Sequence, residues 1–102
     1  MRIIKESTLR AAALHHPDAA APLEAWRKAA RAARWHSLAE LRATYPHADA
    51  VRVASGRTVI VFNIAGNKFR LIAALHFDRQ IVYFLRFLTH ADYSKDRWKS
   101  TL

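Results

Sequence analysis

The spacing of the apolar residues changes near residue 48, and this change limits the folds that the chain can adopt. In the first half, apolar residues recur at the three-and-four spacing of a helix, as at Leu23, Trp26, Ala30 and Ala33. In the second half, β-branched and aromatic residues fill segments separated by turn residues, namely 50–53, 58–63, 68–77 and 80–88. The sequence therefore predicts an α+β fold, with N-terminal helices packed on a mainly antiparallel sheet.

The first half predicts one short strand followed by helices. Ser7 is the expected N-cap of the first helix, Pro17 ends it, and Ser37 with Glu40 three residues later marks the start of a short third helix. The predicted elements are a strand over 2–5 and helices over 8–15, about 19–35, and 37–45. The expected order is β-α-α-(α)-β-β-β-β, followed by a short C-terminal helix.

The segment 58–62 is apolar at every position, which is typical of a central strand covered on both faces. We expect the two N-terminal helices to cover the sheet. No repeat, linker or break in composition divides the chain, so residues 1–102 are predicted to form a single domain.

The chain is strongly basic, and its charge favours a polyanionic partner. Seventeen Lys and Arg residues against eight Asp and Glu give a formal net charge of +9. Such a charge suits nucleic acid, an acidic membrane surface or an acidic protein. No apolar run approaches the roughly 20 residues that span a bilayer, so we expect a cytoplasmic protein that does not bind membranes.

Several kinds of chemistry are excluded by composition. The chain has no cysteine, which excludes disulfides, thiolate catalysis and cysteine-ligated zinc. Its two glycines cannot form a P-loop or a dinucleotide-binding fingerprint. The pair His15-His16 beside Asp18 is better explained by a helix C-terminus than by a metal site. We therefore expect neither a cofactor nor a metal.

The strand over 68–77 alternates between two faces. Phe69 and Leu71 point towards the predicted core, while Lys68 and Arg70 share the opposite face. Arg86 in the next strand joins Arg70 if the connecting loop has an odd number of residues, and we expect an odd loop. An arginine in the middle of an apolar strand needs a compensating anion, either a structural carboxylate or a phosphate from a substrate.

The segment 89–97 brings further chemical groups to the end of the last strand. Thr89 can cap a short helix, on which His90, Tyr93 and Arg97 fall on one side. A histidine, a phenol and cations suit RNA cleavage by the internal 2′-hydroxyl, which needs a base, an acid and charge stabilisation at phosphorus. In this hypothesis Arg70, Arg86, Lys68 and Lys95 hold the phosphate, and no metal is required.

Three segments resemble the HigB family of RelE-like toxins. They are Glu-Leu-Arg-Ala-Thr-Tyr-Pro-His-Ala-Asp from residue 40, Val-Phe-Asn-Ile-Ala-Gly-Asn-Lys-Phe-Arg-Leu-Ile from residue 61, and Ile-Val-Tyr-Phe-Leu-Arg-Phe-Leu-Thr-His-Ala-Asp-Tyr from residue 81. The resemblance covers about 40–95. It implies a RelE-like fold, mRNA endonuclease activity that inhibits translation, and neutralisation by a HigA-type antitoxin with a helix-turn-helix domain.

The resemblance also implies roles for individual residues. Arg70 and Arg86 look like phosphate-binding arginines, and His90 and Tyr93 look like the C-terminal catalytic pair. The predicted phosphate-binding residues around them are Asn67, Lys68, Lys95 and Arg97. The chain departs from the common pattern at Leu88, where the family often has glycine, and at Asp92, where it commonly has glutamate.

Two other functions account for the same cations. The chain could be a non-catalytic RNA-binding or ribosome-associated module, in which His90 has only a structural role. It could also be an interaction protein whose basic groove receives an acidic partner. The sequence leaves open whether the ribosome presents the mRNA, and which residue acts as acid and which as base.

Overall fold

The computed structural model describes residues 1–102, and its elements follow the predicted order. They are β1 (Arg2–Ile4), α1 (Glu6–His15), a 3-10 turn (Pro17–Ala19), α2 (Ala20–Ala32), α3 (Leu38–Thr44), β2 (Asp49–Arg52), β3 (Thr58–Ile64), β4 (Phe69–His76), β5 (Ile81–Thr89), α4 (His90–Ser94) and α5 (Trp98–Thr101). None of the helices is long and apolar enough to span a membrane. The predicted α+β class is confirmed.

The strands form one mixed five-stranded sheet in the order β1-β5-β4-β3-β2. Strands β2 to β5 pair antiparallel with their neighbours in sequence, as expected for a meander. β1 pairs parallel with β5, with Ile3 opposite Val82. The parallel pair is possible because α1 and α2 carry the chain back across the sheet before β2 begins.

One face of the sheet, here called the inner face, holds the main core. Leu23 and Trp26 of α2 are almost fully buried there, together with Leu71 and Phe84 of the sheet. The Trp26 ring meets Phe62 edge-on, with ring centroids 5.5 Å apart. The apolar stripe predicted on the second helix therefore forms the contact between helix and sheet.

The opposite face, here called the outer face, carries a smaller apolar cluster. Val59 and Val61 of β3 pack there with Ile72 of β4 and with Trp98 of α5. The alternate residues of β3, Ile60 and Phe62, belong to the main core. The prediction that the strand over 58–62 is covered on both faces is confirmed.

Two helix boundaries differ from the sequence prediction. α1 begins at Glu6, and the predicted cap Ser7 lies inside it, because Lys5 adopts a left-handed conformation (φ 68°) and starts the helix without a side-chain cap. α2 ends at Ala32 rather than near Trp35. Trp35 is drawn into the main core instead, where its Nε1 donates a hydrogen bond to Thr44.

The pairing of β4 with β5 contains a bulge that decides where Arg86 points. Four turn residues separate His76 from Ile81, so the predicted odd loop is wrong, and regular pairing would put Arg86 on the inner face. The register shifts between Ile72 and Ala73, which leaves Leu85 as an extra residue in β5. Arg86 therefore lies opposite Ile72 on the outer face, the same face as Arg70.

Two substitutions test the described core, because they should change the free energy of unfolding by very different amounts. Phe62→Ala removes a ring that is 1% exposed, and we expect a loss of about 3–5 kcal/mol in the free energy of unfolding. Leu14→Ala, at a side chain that is 82% exposed, should change it by no more than about 0.5 kcal/mol. Urea denaturation of both variants measures the difference, and a small loss for Phe62→Ala would contradict the described core.

Candidate functional site

Arg70 is the only charged residue among the buried residues, at 9% exposure. It lies on the outer face of β4, between Asn63 of β3 and Leu88 of β5. Its Nη1 donates hydrogen bonds to the backbone oxygens of Asn67 and Phe69, each at 3.1 Å. No carboxylate forms an ion pair with it, so a buried positive charge faces the outer surface without an anion from the protein.

Tyr93 is held by aromatic and cationic contacts beside Arg70. The Arg70 guanidinium carbon lies over the Tyr93 ring, 5.4 Å from its centroid. Trp98 stacks with the same ring, with centroids 5.4 Å apart and planes 17° apart. The indole Nε1 also donates a hydrogen bond to the Tyr93 carbonyl. These contacts fix the ring of Tyr93, while its hydroxyl makes no hydrogen bond within the protein.

The short helix α4 orients His90 and Tyr93 at the end of β5. Thr89 caps it as predicted, since its hydroxyl accepts a hydrogen bond from the Asp92 amide at 3.2 Å. The His90 amide donates to the carbonyl of Lys68, which ties α4 to the turn before β4. The His90 imidazole is exposed and has no hydrogen-bond partner in the protein, so it is accessible to a ligand.

A pocket of about 300 Å³ lies next to this helix and contains three of the predicted phosphate-binding residues, Arg86, Lys95 and Arg97. It is lined by Arg86, Leu88, Asp92, Lys95, Arg97, Trp98 and Thr101. Arg97 does not continue α4 as predicted, because the helix ends at Ser94 and Asp96 adopts a left-handed conformation (φ 60°). The turn nevertheless brings Arg97 to the pocket. Asp92 is its only acid and lies 3.7 Å from Lys95.

Lys68 and Asn67 lie in the turn before β4 and have different positions relative to Arg70. Asn67 is exposed and contributes the backbone oxygen that binds the Arg70 guanidinium. Lys68 is predicted to share the face of Arg70, but β4 begins only at Phe69. The Lys68 ammonium instead lies 3.8 Å from Asp18 of the 3-10 turn, so it does not join the cluster around Tyr93.

The structure adds Asn63 and Trp98 to the site, two residues that the sequence analysis did not assign to it. Asn63 lies opposite Arg70 and lines a second pocket of about 410 Å³ with His47, Gly66 and Asn67. Asn63 could have been recognised as the polar residue that interrupts the apolar run of the strand after Val-Ile-Val-Phe. Trp98 had no such signal, because its contact with Tyr93 depends on the turn at Asp96.

The arrangement suits binding of a phosphodiester. Arg70 and Arg86 share one face, His90 and Tyr93 border it, and the pockets on either side of Arg70 are open to solvent. Guanidinium groups match phosphate oxygens in geometry and charge. No group of three His, Asp or Glu side chains is arranged to hold a metal ion.

The sequence matches a family model over residues 19–96, a range that includes every strand of the sheet except β1 and all of α4. The family is described as HigB_toxin, a RelE-like toxic component of a toxin-antitoxin system. The chain belongs to this family. No curated protein matches the sequence.

Membership has direct consequences for the candidate site. The chain is a RelE-like toxin of a toxin–antitoxin system, so its partner is an antitoxin. The matched range contains Arg70, Arg86, His90 and Tyr93, whereas Trp98 lies beyond it. The family model therefore does not include Trp98, the residue that stacks with Tyr93.

The cap of α4 provides a test of how the site is positioned. Thr89→Ala removes the hydroxyl that accepts the Asp92 amide, and we expect a loss of about 1 kcal/mol in the free energy of unfolding. Thr89→Ser keeps the acceptor and should lose much less. Hydrogen exchange of the amides in α4 checks the cause: faster exchange in the alanine variant only is expected, and equal exchange in both variants would contradict the capping role.

Proposed function

We propose that the protein is an endoribonuclease that cleaves mRNA through the RNA 2′-hydroxyl and thereby inhibits translation. The observation that carries this proposal is the buried charge of Arg70, which has no carboxylate partner and borders Tyr93 on an open surface. Because such a charge has lost much of its hydration and has no anionic partner, binding of an anion beside it is strongly favourable. The scissile phosphate of RNA is that anion in this proposal.

Arg70 and Arg86 stabilise the transition state by their charge. Attack of the 2′-oxygen on phosphorus increases the negative charge on the phosphoryl oxygens, and fixed guanidinium groups favour this change more than water does. Arg70 is held by two carbonyl bonds and Arg86 by one, from its Nη1 to the Leu85 oxygen at 2.9 Å. Little reorganisation is then needed during the reaction.

His90 and Tyr93 handle the protons of the reaction. One group removes the proton of the 2′-hydroxyl and another protonates the departing 5′-oxygen, so that a 2′,3′-cyclic phosphate and a 5′-hydroxyl form. His90 serves as the base or the acid because imidazole exchanges protons near neutral pH. Tyr93 serves as its counterpart or holds the nucleotide. Asn67, Lys95 and Arg97 contact neighbouring phosphates.

The family and the sequence resemblance support further partners. We infer that the antitoxin is of the HigA type, with a helix-turn-helix domain, and that the substrate is mRNA, either free or presented by the ribosome. An enzyme that cleaves translated mRNA works in the cytoplasm. A purely RNA-binding module or a protein that only receives an acidic partner would use the same cations, but neither requires a free imidazole beside Tyr93.

Substitutions in the site should separate catalysis from binding. We expect His90→Gln to slow cleavage of a purified mRNA by about 10²–10⁴-fold, because the proton carrier is lost. Arg70→Lys keeps the charge but loses the planar guanidinium that can donate two parallel hydrogen bonds to a phosphate. We expect its cleavage rate to fall by at least about tenfold. Arg10→Gln, at an exposed arginine of α1, is the matched control and should cleave normally.

The measurement is the mapping of new RNA ends, with and without translating ribosomes, for variants whose folding is checked by circular dichroism. New ends that require His90 support an endonuclease, and their presence only with ribosomes identifies the ribosome as the place of cleavage. Intact RNA in both conditions, with folded native protein, would overturn the proposed activity. Cleavage that persists in His90→Gln would overturn the role of this residue.

A further inference from the structure

A second concentration of arginines lies at the other end of β5 from α4. A pocket of about 640 Å³ opens there between β1, the end of α2 and the β4–β5 turn. We call it the arginine pocket, because Arg2, Arg31, Arg34 and Arg79 all line it. None of its lining residues is acidic. Neither the candidate active site nor the matched family description accounts for this surface.

Three of the four arginines of this pocket lack partners within the protein. Arg2, Arg34 and Arg79 are exposed and make no ion pair or side-chain hydrogen bond, while Arg31 lies 3.5 Å from Glu6. The pKa of the Met1 amine, which also lines the pocket, is lowered by burial and by the charges of Arg34 and Arg31. Like charges gathered without an anion are unfavourable, so a bound anion stabilises this arrangement.

Arg2 places one side of the arginine pocket on the outer face of the sheet, the face that carries the candidate site, whereas Arg31 and Arg34 come from the end of α2 and the residues just after it. Arg2 lies opposite Ile81 at the start of β5, and Arg70 lies opposite Leu88 near its end. Between these two positions β5 extends for about 23 Å at the usual rise per residue. A nucleic acid strand covers this distance with roughly seven nucleotides at 3.4 Å each, and with fewer when it is extended.

An aromatic pair occupies the surface between the two arginine groups. Tyr83 of β5 lies opposite Ala74 on the outer face, and His76 lies at the end of β4. Their ring centroids are 5.4 Å apart and their planes are nearly perpendicular. Tyr83 is half-buried and His76 is exposed, so both rings are accessible. Exposed aromatic rings between cations favour single-stranded RNA, whose bases stack, over an acidic polypeptide.

We propose that the arginine pocket binds backbone phosphates of the same RNA strand that is cleaved at Arg70 and Arg86. The strand runs along the outer face of β5, with a base stacked near Tyr83 and His76. The identity of the ligand rests on the proposed function, whereas the position of the contact rests on the pocket itself. The pocket adds affinity for long RNA and does not take part in the chemistry.

The test compares two double variants that each remove two positive charges. R34Q/R79Q changes two exposed arginines of the pocket that have no side-chain partners, and R10Q/K28Q changes two exposed cations on α1 and α2. The probes are non-cleavable 2′-O-methyl RNAs of about 16 and about four nucleotides, the range of common single-strand site sizes. Affinity is measured by fluorescence anisotropy over a series of salt concentrations, and cleavage of unmodified RNA is measured separately.

We expect R34Q/R79Q to bind the long RNA at least about tenfold more weakly, with a salt dependence of log K that is shallower by about 1.4, or 0.7 for each lost phosphate contact. Its affinity for the short RNA and its cleavage of short RNA should match the native protein. R10Q/K28Q should bind both RNAs normally. Unchanged long-RNA affinity in R34Q/R79Q, or an equal loss in R10Q/K28Q, would overturn the proposal.

The same data distinguish this proposal from the proposed function. Long-RNA binding that depends on Arg34 and Arg79, together with absent cleavage, supports the pocket and refutes the endonuclease. Cleavage with RNA affinity independent of these arginines supports the endonuclease and refutes the pocket. Normal RNA binding combined with loss of binding to polyglutamate in R34Q/R79Q would assign the pocket to an acidic protein and overturn the RNA proposal.

Discussion

The pairing of β4 with β5 is the interaction on which both the core and the candidate site depend. It joins the parallel edge strand β1 to the rest of the sheet, and it presents Leu71 and Phe84 to the helices on the inner face. On the outer face the bulge at Leu85 turns Arg86 to the side of Arg70. Without this one extra residue the second arginine would point into the apolar core, where its charge could not be tolerated.

The buried guanidinium of Arg70 shows how the fold maintains a charge without neutralising it. Backbone carbonyls satisfy part of its hydrogen-bonding capacity, and the Tyr93 ring covers it with electron-rich surface. A carboxylate in the same place would stabilise the fold but would compete with a ligand phosphate. The protein instead uses Trp98 to stack with Tyr93, so that packing holds the site in place and the charge stays available.

Much of the fold follows from patterns that the sequence carries locally. The change of period at residue 48, the fully apolar strand over 58–62 and the cap at Thr89 each predict a feature of the structure. Features that depend on contacts between residues far apart in the sequence cannot be predicted from local patterns. The bulge at Leu85 has no local signal in the sequence. Lys68 turns towards Asp18, which lies 50 positions earlier in the sequence. Trp98 reaches Tyr93 only through the turn at Asp96.

In the proposed reaction, this surface uses the 2′-hydroxyl of RNA as the nucleophile. The most direct measurement is cleavage of a substrate in which only the nucleotide at the mapped cut carries hydrogen in place of that hydroxyl, followed by analysis of the product ends. We expect no cut at the modified nucleotide, whereas the unmodified RNA should give a 5′-hydroxyl and a 2′,3′-cyclic phosphate or a 3′-phosphate. A cut at the modified nucleotide that leaves a 5′-phosphate would contradict it.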